Sequence, residues 1–313
     1  MHVPAPRSGT LVLMEGAALG LLVLGVLLAE PVSRSLARAH WPVRDPVGAL
    51  LVWQAIGLAG GLALLGSGLV YGLAPLGPGL PEAVDEAIDT LAAGRLPELG
   101  ITHVLALLAA LVLALRLVGV LVVVTARTLK ARRRHRDLLD LLATPWPSVP
   151  HAQVLDHPVP VAYCLPGLRS RLVVSAGVLD ALDPPAVKAV LAHEQAHLRE
   201  RHDLVVLPFV AWGATAPFVR GMVCAQVAVA ALVEMRADDV ASGAVTPKQL
   251  TGALRRVGGA APAAALSSFT DALDRRLLRI SRPPAPLPTT VRVLVRLAAV
   301  CLVAIPTGLL LLS

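Results

Sequence analysis

The sequence contains few charged residues for its length. Of its 313 residues, 16% are charged and 56% are hydrophobic. A soluble domain normally carries about 25% charged residues. The hydrophobic residues also occur in long runs, which are typical of membrane-spanning helices and not of one large soluble core. The sequence therefore predicts an integral membrane protein.

Cysteine is also scarce, because only Cys164, Cys224 and Cys301 occur and they are far apart. This number and spacing exclude a disulfide framework and a Cys-x-x-Cys metal site. The net charge of +7 is compatible with nucleic-acid binding. The basic residues, however, lie beside the hydrophobic runs, where Lys and Arg set membrane topology. We therefore expect no direct nucleic-acid binding.

Four hydrophobic segments are long enough to cross a bilayer, which takes about 20 apolar residues. They lie at about 10–29, 47–73, 101–126 and 289–313. The first segment could instead be a signal peptide. Its length, and the position of Arg34 and Arg38 after it, favour an uncleaved span. Membrane lipid is therefore an expected partner of all four segments.

The charges between these segments predict the orientation of the chain. The loop 75–100 carries five acidic residues and the single basic residue Arg95. The third segment is followed by a basic run: Arg127, Lys130, Arg132, Arg133, Arg134 and Arg136. Because excess Lys and Arg marks the cytoplasmic side, the acidic loop and both termini are expected outside. The region after Arg127 is expected in the cytoplasm.

The chain thus divides into three parts: three spans in 1–130, a cytoplasmic domain in 131–288 and the last span in 289–313. Within the cytoplasmic domain, two β-prone runs flank Pro166-Gly167 and predict a β-hairpin. Asp183 is a good N-cap and Pro184 suits the first helical position. We therefore expect a helix from Pro184 to about His202.

This predicted helix carries the sequence His193-Glu194-Gln195-Ala196-His197. Residues four apart lie on one helix face, so both histidines can bind one metal ion. Glu194 is rotated by about 100° from His193, so it can contact a water molecule without being a ligand. Zinc lowers the pKa of such a water to about 7, and a carboxylate accepts its proton as it attacks a carbonyl. The alternative is an exposed polar helix face.

A catalytic zinc ion needs a third protein ligand and one open position. Glu234 is the best candidate, since Asp238 follows it four residues later and would share its helix face. Asp238 could then hydrogen-bond the far nitrogen of a ligand histidine. The alternative for Glu234 is an interfacial carboxylate at the end of an apolar segment.

The apolar segment 204–233 separates these two halves of the site. A single membrane crossing would place Glu234 and His193 on opposite sides, where they could not share a metal ion. Pro208 and Pro217 also disfavour one continuous spanning helix. We therefore expect a broken, membrane-associated helical hairpin that starts and ends on the cytoplasmic side.

Taken together, these motifs resemble the M56 family of membrane zinc metallopeptidases, the group of the β-lactam sensor-transducers. The resemblance rests on three segments: Ala192 to Arg199 followed by Asp203, Glu234 to Asp238, and Leu165-Pro166-Gly167 with Val173 to Leu179. It implies one zinc ion per chain bound by His193, His197 and Glu234. It also implies Glu194 as general base and Asp238 as support for a ligand histidine.

The fold implied by the resemblance is a mainly α integral membrane protein. About four transmembrane helices would carry a cytoplasmic gluzincin-like metallopeptidase domain with a small β-hairpin or sheet. Zinc peptidases of this class bind substrate as an added strand at a sheet edge. Our candidate for that edge strand is Leu172, Val173 and Val174, and a hairpin without substrate contact is the alternative.

The resemblance further implies a cytoplasmic protein substrate, typically a winged-helix transcriptional repressor that is cut in response to an external signal. Some family members carry a penicillin-binding sensor domain, which this sequence lacks. We therefore expect a short form of the family and no direct acylation by β-lactams.

Other functions are also compatible with parts of the sequence. A protease for quality control or processing of membrane proteins would use the same site. A transporter or channel would explain Arg116 in the third span, and Glu15 near the outer end of the first if it is not simply interfacial. It would not explain three ordered metal-site elements. A sensor with a purely structural metal would have no need of a base at Glu194.

Overall fold

The structure, a computed structural model, describes residues 8–167, 170–258 and 266–313. The expected domains 1–130 and 131–288 therefore contain a few residues outside the described ranges. The described chain is mostly helical and includes one small mixed sheet. Its helices are α1 (Ser8–Leu27), α2 (Ser33–Arg38), α3 (Pro46–Leu73), α4 (Leu80–Ala92), α5 (Ile101–Leu142), α6 (Ala176–Ala181), α7 (Pro184–Arg199), α8 (His202–Thr215), α9 (Arg220–Ser242), α10 (Pro247–Gly258), α11 (Leu266–Ser281) and α12 (Thr289–Leu312).

The structure contains as many candidate membrane-spanning helices as the sequence predicts. Four helical segments are long and apolar enough to cross a membrane: Gly9–Arg38, Pro46–Leu76, Ile101–Leu142 and Thr289–Leu312. Helix α3 is the central one and packs against α1, α5 and α12. Its Gly68 allows close approach to α5, because a Cβ there would lie 2.8 Å from the Cβ of Ala110. Helix α3 therefore contacts each of the other three candidate spans.

The third span belongs to a much longer helix than the sequence predicted. Helix α5 continues for 42 residues to Leu142. Its second half is rich in Leu, Arg and Lys, which are good helix formers. At 1.5 Å per residue it is about 63 Å long, twice the apolar thickness of a bilayer. Its end is tied to the sheet by an ion pair of 2.6 Å between Asp140 and Arg171.

The sheet has four strands: β1 (Ala143–Pro145), β2 (Ala152–Leu155), β3 (Ala162–Leu165) and β4 (Arg171–Ser175). Their order is β1-β2-β4-β3, with β2 and β4 parallel and the other two pairs antiparallel. The predicted hairpin is confirmed as the pair β3 and β4. Strands β1 and β2 were not predicted, because runs of three and four residues give a weak pattern.

The expectation that Leu172, Val173 and Val174 form an edge strand is wrong. They lie in β4, which pairs with β2 on one side and β3 on the other. All three side chains are buried. The sequence alone does not show that β4 is an inner strand. Its parallel partner β2 is separated from it in the chain by β3. Among the described strands, the edge that packs against α7 is β3.

Helix α7 begins as predicted and ends three residues early. The Asp183 carboxylate accepts a hydrogen bond of 3.1 Å from the backbone N–H of Ala186, which caps the helix. The helix ends at Arg199, and Arg201 adopts a left-handed conformation with φ 50°. This turn separates α7 from α8 and brings His202 next to α7.

Helices α8 and α9 occupy the apolar segment 204–233 and are separated by a break at residues 216–219. They contact each other and pack against α3. The Arg116 guanidinium donates a hydrogen bond of 2.8 Å to the carbonyl of Thr215 at the end of α8. At the start of α9, the N–H of Gly221 donates to the Glu30 carboxylate at 2.7 Å.

These two contacts place a cation at a helix C-terminus and an anion at a helix N-terminus, which is the favourable arrangement for the helix dipoles. Gly221 is required here, because a Cβ would overlap the backbone of Ala29 and Glu30. The tip of the α8–α9 hairpin is thus attached to two candidate spans. The sequence is compatible with either a functional or a pairing role for Arg116. In the structure, Arg116 forms a pairing contact.

Candidate metal centre

The structure brings the three expected ligands together. Helix α7 supplies His193 and His197 from successive turns, and α9 supplies Glu234. The Nε2 atoms of the two histidines are 3.2 Å apart. Oε2 of Glu234 lies 3.4 Å from His193 Nε2, and Oε1 of the same carboxylate lies 3.5 Å from His197 Nε2. Two imidazole nitrogens and a carboxylate are therefore close enough together to hold one metal ion.

These distances fit a zinc ion. Ligand atoms about 2.0 Å from a tetrahedral zinc lie about 3.3 Å from one another. The 3.2 Å between the two histidine nitrogens agrees with that value, and each nitrogen has one Glu234 oxygen at 3.4 or 3.5 Å. Three protein ligands also leave the fourth position for water or substrate, as in catalytic zinc sites. His193, His197 and Glu234 could thus hold one zinc ion without large rearrangement.

His193 is supported from behind by a buried ion pair. Its Nδ1 lies 3.1 Å from Oδ1 of Asp238, whose side chain is 1% exposed. The Arg276 guanidinium donates two hydrogen bonds to Asp238, of 2.8 and 2.7 Å. It also pairs with Glu234 at 2.8 Å. Asp238 therefore has the expected position, and Arg276 holds both Asp238 and the ligand Glu234.

His197 is supported by a second set of polar residues. The Nδ1 atoms of His197 and His202 lie 2.9 Å apart, which is hydrogen-bonding distance. The other nitrogen of His202 lies 3.3 Å from Glu200, and Arg236 pairs with Glu200 at 2.6 Å. Each ligand histidine thus has a polar partner on its far nitrogen, which fixes the orientation of the ring.

Sequence reasoning missed Arg276 and the role of His202. Arg276 lies on α11, far along the chain from both motifs, so no local spacing connects it with them. The sequence shows only that Arg276 is a basic residue within an amphipathic helix. His202 was assigned to the end of the predicted α7 helix. The left-handed backbone conformation of Arg201, which turns the chain so that His202 faces the site, cannot be recognised from the sequence.

Two of the three expected ligands, Glu234 and His197, have pKa values that favour a bound cation at neutral pH. Burial alone would raise the pKa of Glu234, but the His193 hydrogen bond and the Arg276 charge lower it to about 2. Burial lowers the pKa of His197 to about 4. Burial would also lower the pKa of His193, but Asp238 and Glu234 raise it to about 9. Because the ligand form of histidine is the neutral imidazole, metal binding at His193 releases a proton.

Glu194 lies next to this centre and contacts the edge strand. Desolvation raises the pKa of its carboxyl group to about 7, although the nearby His193 charge opposes the shift. Its carboxylate lies near enough to the Cys164 thiol on β3 for the two groups to affect each other's pKa. Burial, together with the Glu194 charge, raises the pKa of the Cys164 thiol to about 12, so this cysteine stays protonated. A carboxyl group that titrates near neutrality is suited to accept a proton in catalysis.

Two histidines one turn apart, a glutamate from a second helix and an adjacent free glutamate define a metallopeptidase-type centre. In agreement, the family model for peptidase family M48 matches residues 125–257. The matched segment contains the three ligands, Glu194 and Asp238. Peptidases of this family are generally zinc-dependent.

The match supports a zinc metallopeptidase, but not the M56 family in particular. No curated protein and no solved structure matches the chain. Arg276 lies outside the matched segment, so its place in the centre is known from the structure alone.

Proposed function

We propose that this protein is a membrane-embedded zinc endopeptidase that cleaves protein segments at the cytoplasmic side of the membrane. The observation that carries the proposal is the convergence of His193, His197 and Glu234 beside the free carboxyl group of Glu194. The basic run that ends at Arg136 supports the cytoplasmic side, because Lys and Arg next to a span are retained there.

The residues of the centre have separate tasks in this reaction. His193, His197 and Glu234 would hold the zinc ion, which would supply polarisation of the scissile carbonyl and a lower pKa for water. Glu194 accepts a proton from the attacking water and gives it to the leaving amine. Asp238 and His202 keep the two ligand imidazoles in place. Arg276 fixes Asp238 and Glu234.

Strand β3 is the better candidate for the substrate-binding edge. It pairs only with β4 among the described strands and packs against α7. Its Cys164 contacts Glu194, so a peptide added to this edge would lie beside the general base. Backbone hydrogen bonds to an added strand hold many different sequences and position one carbonyl. The proposed substrate segment is therefore extended.

The substrate class that the M56 resemblance favours is a winged-helix transcriptional repressor in the cytoplasm. Cleavage of such a repressor would convert a membrane signal into gene expression. A second candidate function is processing or quality control of membrane proteins. The packing of α8 and α9 against the candidate span α3 favours it, because this packing holds the catalytic centre close to the bilayer.

Both candidates are tested by one experiment on the full-length protein in lipid nanodiscs. The zinc-loaded protein is incubated with the product of any adjacent repressor gene and, separately, with unfolded membrane protein, and fragments are identified by mass spectrometry. We expect the repressor to be cut at one site by the wild type. Glu194→Gln should bind zinc but cleave at least about 100-fold more slowly, since a general base contributes about 10²–10⁴.

The matched control is Asp180→Asn, which removes an exposed carboxylate on α6 and should cleave normally. Cleavage of membrane protein alone would favour the second candidate. Equal cleavage by the wild type and Glu194→Gln would refute a role of Glu194 as the base.

A further inference from the structure

A groove separate from the metal centre lies between α1, α3 and α5. Its volume is about 530 Å³, within the range of about 300–1,000 Å³ that is typical of small-molecule sites. Small residues on α5, including Ala106, Ala109 and Ala110, leave the space open. All lining residues belong to the three candidate spans, and neither the metal ligands nor the α8–α9 hairpin contributes.

The groove contains a carboxylate within a candidate span. Glu15 lies on α1 and lines the groove. Ionisable residues within spans are rare because the bilayer disfavours charge, and they commonly mark sites of function. Arg116 and Glu30 each satisfy their charge at the hairpin tip. Glu15, in contrast, has no hydrogen-bonding or ionic partner among the described residues.

The other polar groups of the groove favour a cation as its ligand. Neither Lys nor Arg lines it, so a phosphate or carboxylate would find no opposite charge there. Tyr71 contributes an aromatic ring that stacks on His103 with one face, and the other face of such a ring can attract an ammonium group. The remaining lining is apolar apart from the hydroxyl of Ser67.

We propose that this groove is a binding site for a lipophilic ammonium ion, that is, a single-chain amphiphile with one protonated amine. The amine pairs with the Glu15 carboxylate near Tyr71. The alkyl chain lies along Leu19, Leu22 and Leu113. A zwitterionic phospholipid is a poorer occupant, since its phosphate would lie in the groove without a basic partner. The site does not depend on the peptidase activity proposed above.

The test uses a long-chain alkylamine that carries a photoreactive diazirine on its tail. The full-length protein in nanodiscs of zwitterionic lipid is irradiated with this probe, and labelled peptides are identified by mass spectrometry. We expect labels on α1 and α5 residues of the groove. Excess unlabelled alkylamine should compete, whereas the alcohol and the sulfate with the same chain should not.

Three variants separate charge recognition from a general affinity for lipid. Glu15→Gln should weaken labelling at least about tenfold at equal probe concentration. Ala109→Phe, which fills the groove and leaves Glu15 in place, should weaken it as well. Asp85→Asn removes an exposed carboxylate of α4 outside the groove and should label like the wild type. Equal competition by the alcohol, or full labelling of Glu15→Gln and Ala109→Phe, would overturn the proposal.

Discussion

At the scale of single residues, two glutamates next to the same metal position have opposite environments. Desolvation raises the pKa of Glu194 to about 7, whereas His193 and Arg276 lower that of Glu234 to about 2. Two carboxyl groups whose pKa values are driven apart can perform different tasks. Glu234 is ionised at neutral pH and suits a ligand, whereas Glu194 can gain and lose a proton and suits a base.

Arg276 gives the sharpest prediction at this scale. Its side chain is 16% exposed and joins Asp238 to Glu234. We expect Arg276→Gln to lower the free energy of unfolding by about 3 kcal/mol, since it leaves the buried Asp238 carboxylate without its cation. It should also weaken zinc binding about 10–100-fold, because the support of the ligands is lost.

Thermal unfolding and zinc titration with a chromophoric chelator measure the two effects of Arg276→Gln. Arg282→Gln, an exposed arginine just after α11, is the matched control and should change neither. An Arg276→Gln protein with the wild-type midpoint and zinc affinity would contradict the assigned role.

The sequence identifies residues of this centre where helical spacing connects them. His193 and His197, like Glu234 and Asp238, lie four apart and therefore share a helix face. Arg276 is 38 residues from Asp238 and on another helix, so only the folded chain shows their contact. The same limit applies to Cys164, whose contact with Glu194 depends on the packing of β3 against α7.

At the scale of elements, the attachment of the α8–α9 hairpin to the candidate spans is the main feature beyond the metal centre. Gln54 on α3 donates a hydrogen bond of 2.8 Å to the carbonyl of Val205. Arg116 and Glu30 bind the two helix ends at the hairpin tip. Because α9 also carries Glu234, these contacts help to fix the position of a metal ligand.

We expect Arg116→Gln to release the tip of this hairpin. Hydrogen bonds from charged groups contribute about 1.5–3 kcal/mol, and the carbonyl of Thr215 would lose its partner. The unfolding free energy should fall by about 2 kcal/mol, and amide hydrogen exchange should rise at residues 213–221. Arg133→Gln, an exposed arginine on the same helix, serves as the control. Unchanged exchange in Arg116→Gln would argue against the attachment.

The elements themselves were predictable to different degrees. The four long apolar helices and the β3–β4 hairpin follow from hydropathy and turn residues. The order of the sheet does not, because the parallel pairing of β2 with β4 joins segments that are distant in sequence. The inner position of Leu172, Val173 and Val174 therefore could not be predicted. The full length of α5 was missed because its basic half resembles a separate soluble segment.

At the scale of the whole molecule, the charges of the loops predict which side of the membrane each part faces. A fluorescent reporter fused after Arg136 should be active in the cytoplasm, and alkaline phosphatase inserted at Glu86 should be active outside. The reverse pattern would exclude a cytoplasmic substrate. It would not contradict the assignment of the metal ligands. Reporters at these two positions thus test the orientation separately from the chemistry.

The central claim is that His193, His197 and Glu234 bind one zinc ion in the folded membrane protein. The most direct measurement is the metal content of protein purified without chelators, by inductively coupled plasma mass spectrometry. The wild type should contain about one zinc per chain, and His197→Ala should lose most of it, since two ligands hold zinc poorly. A wild type free of metal, or a His197→Ala protein with undiminished zinc, would contradict the account.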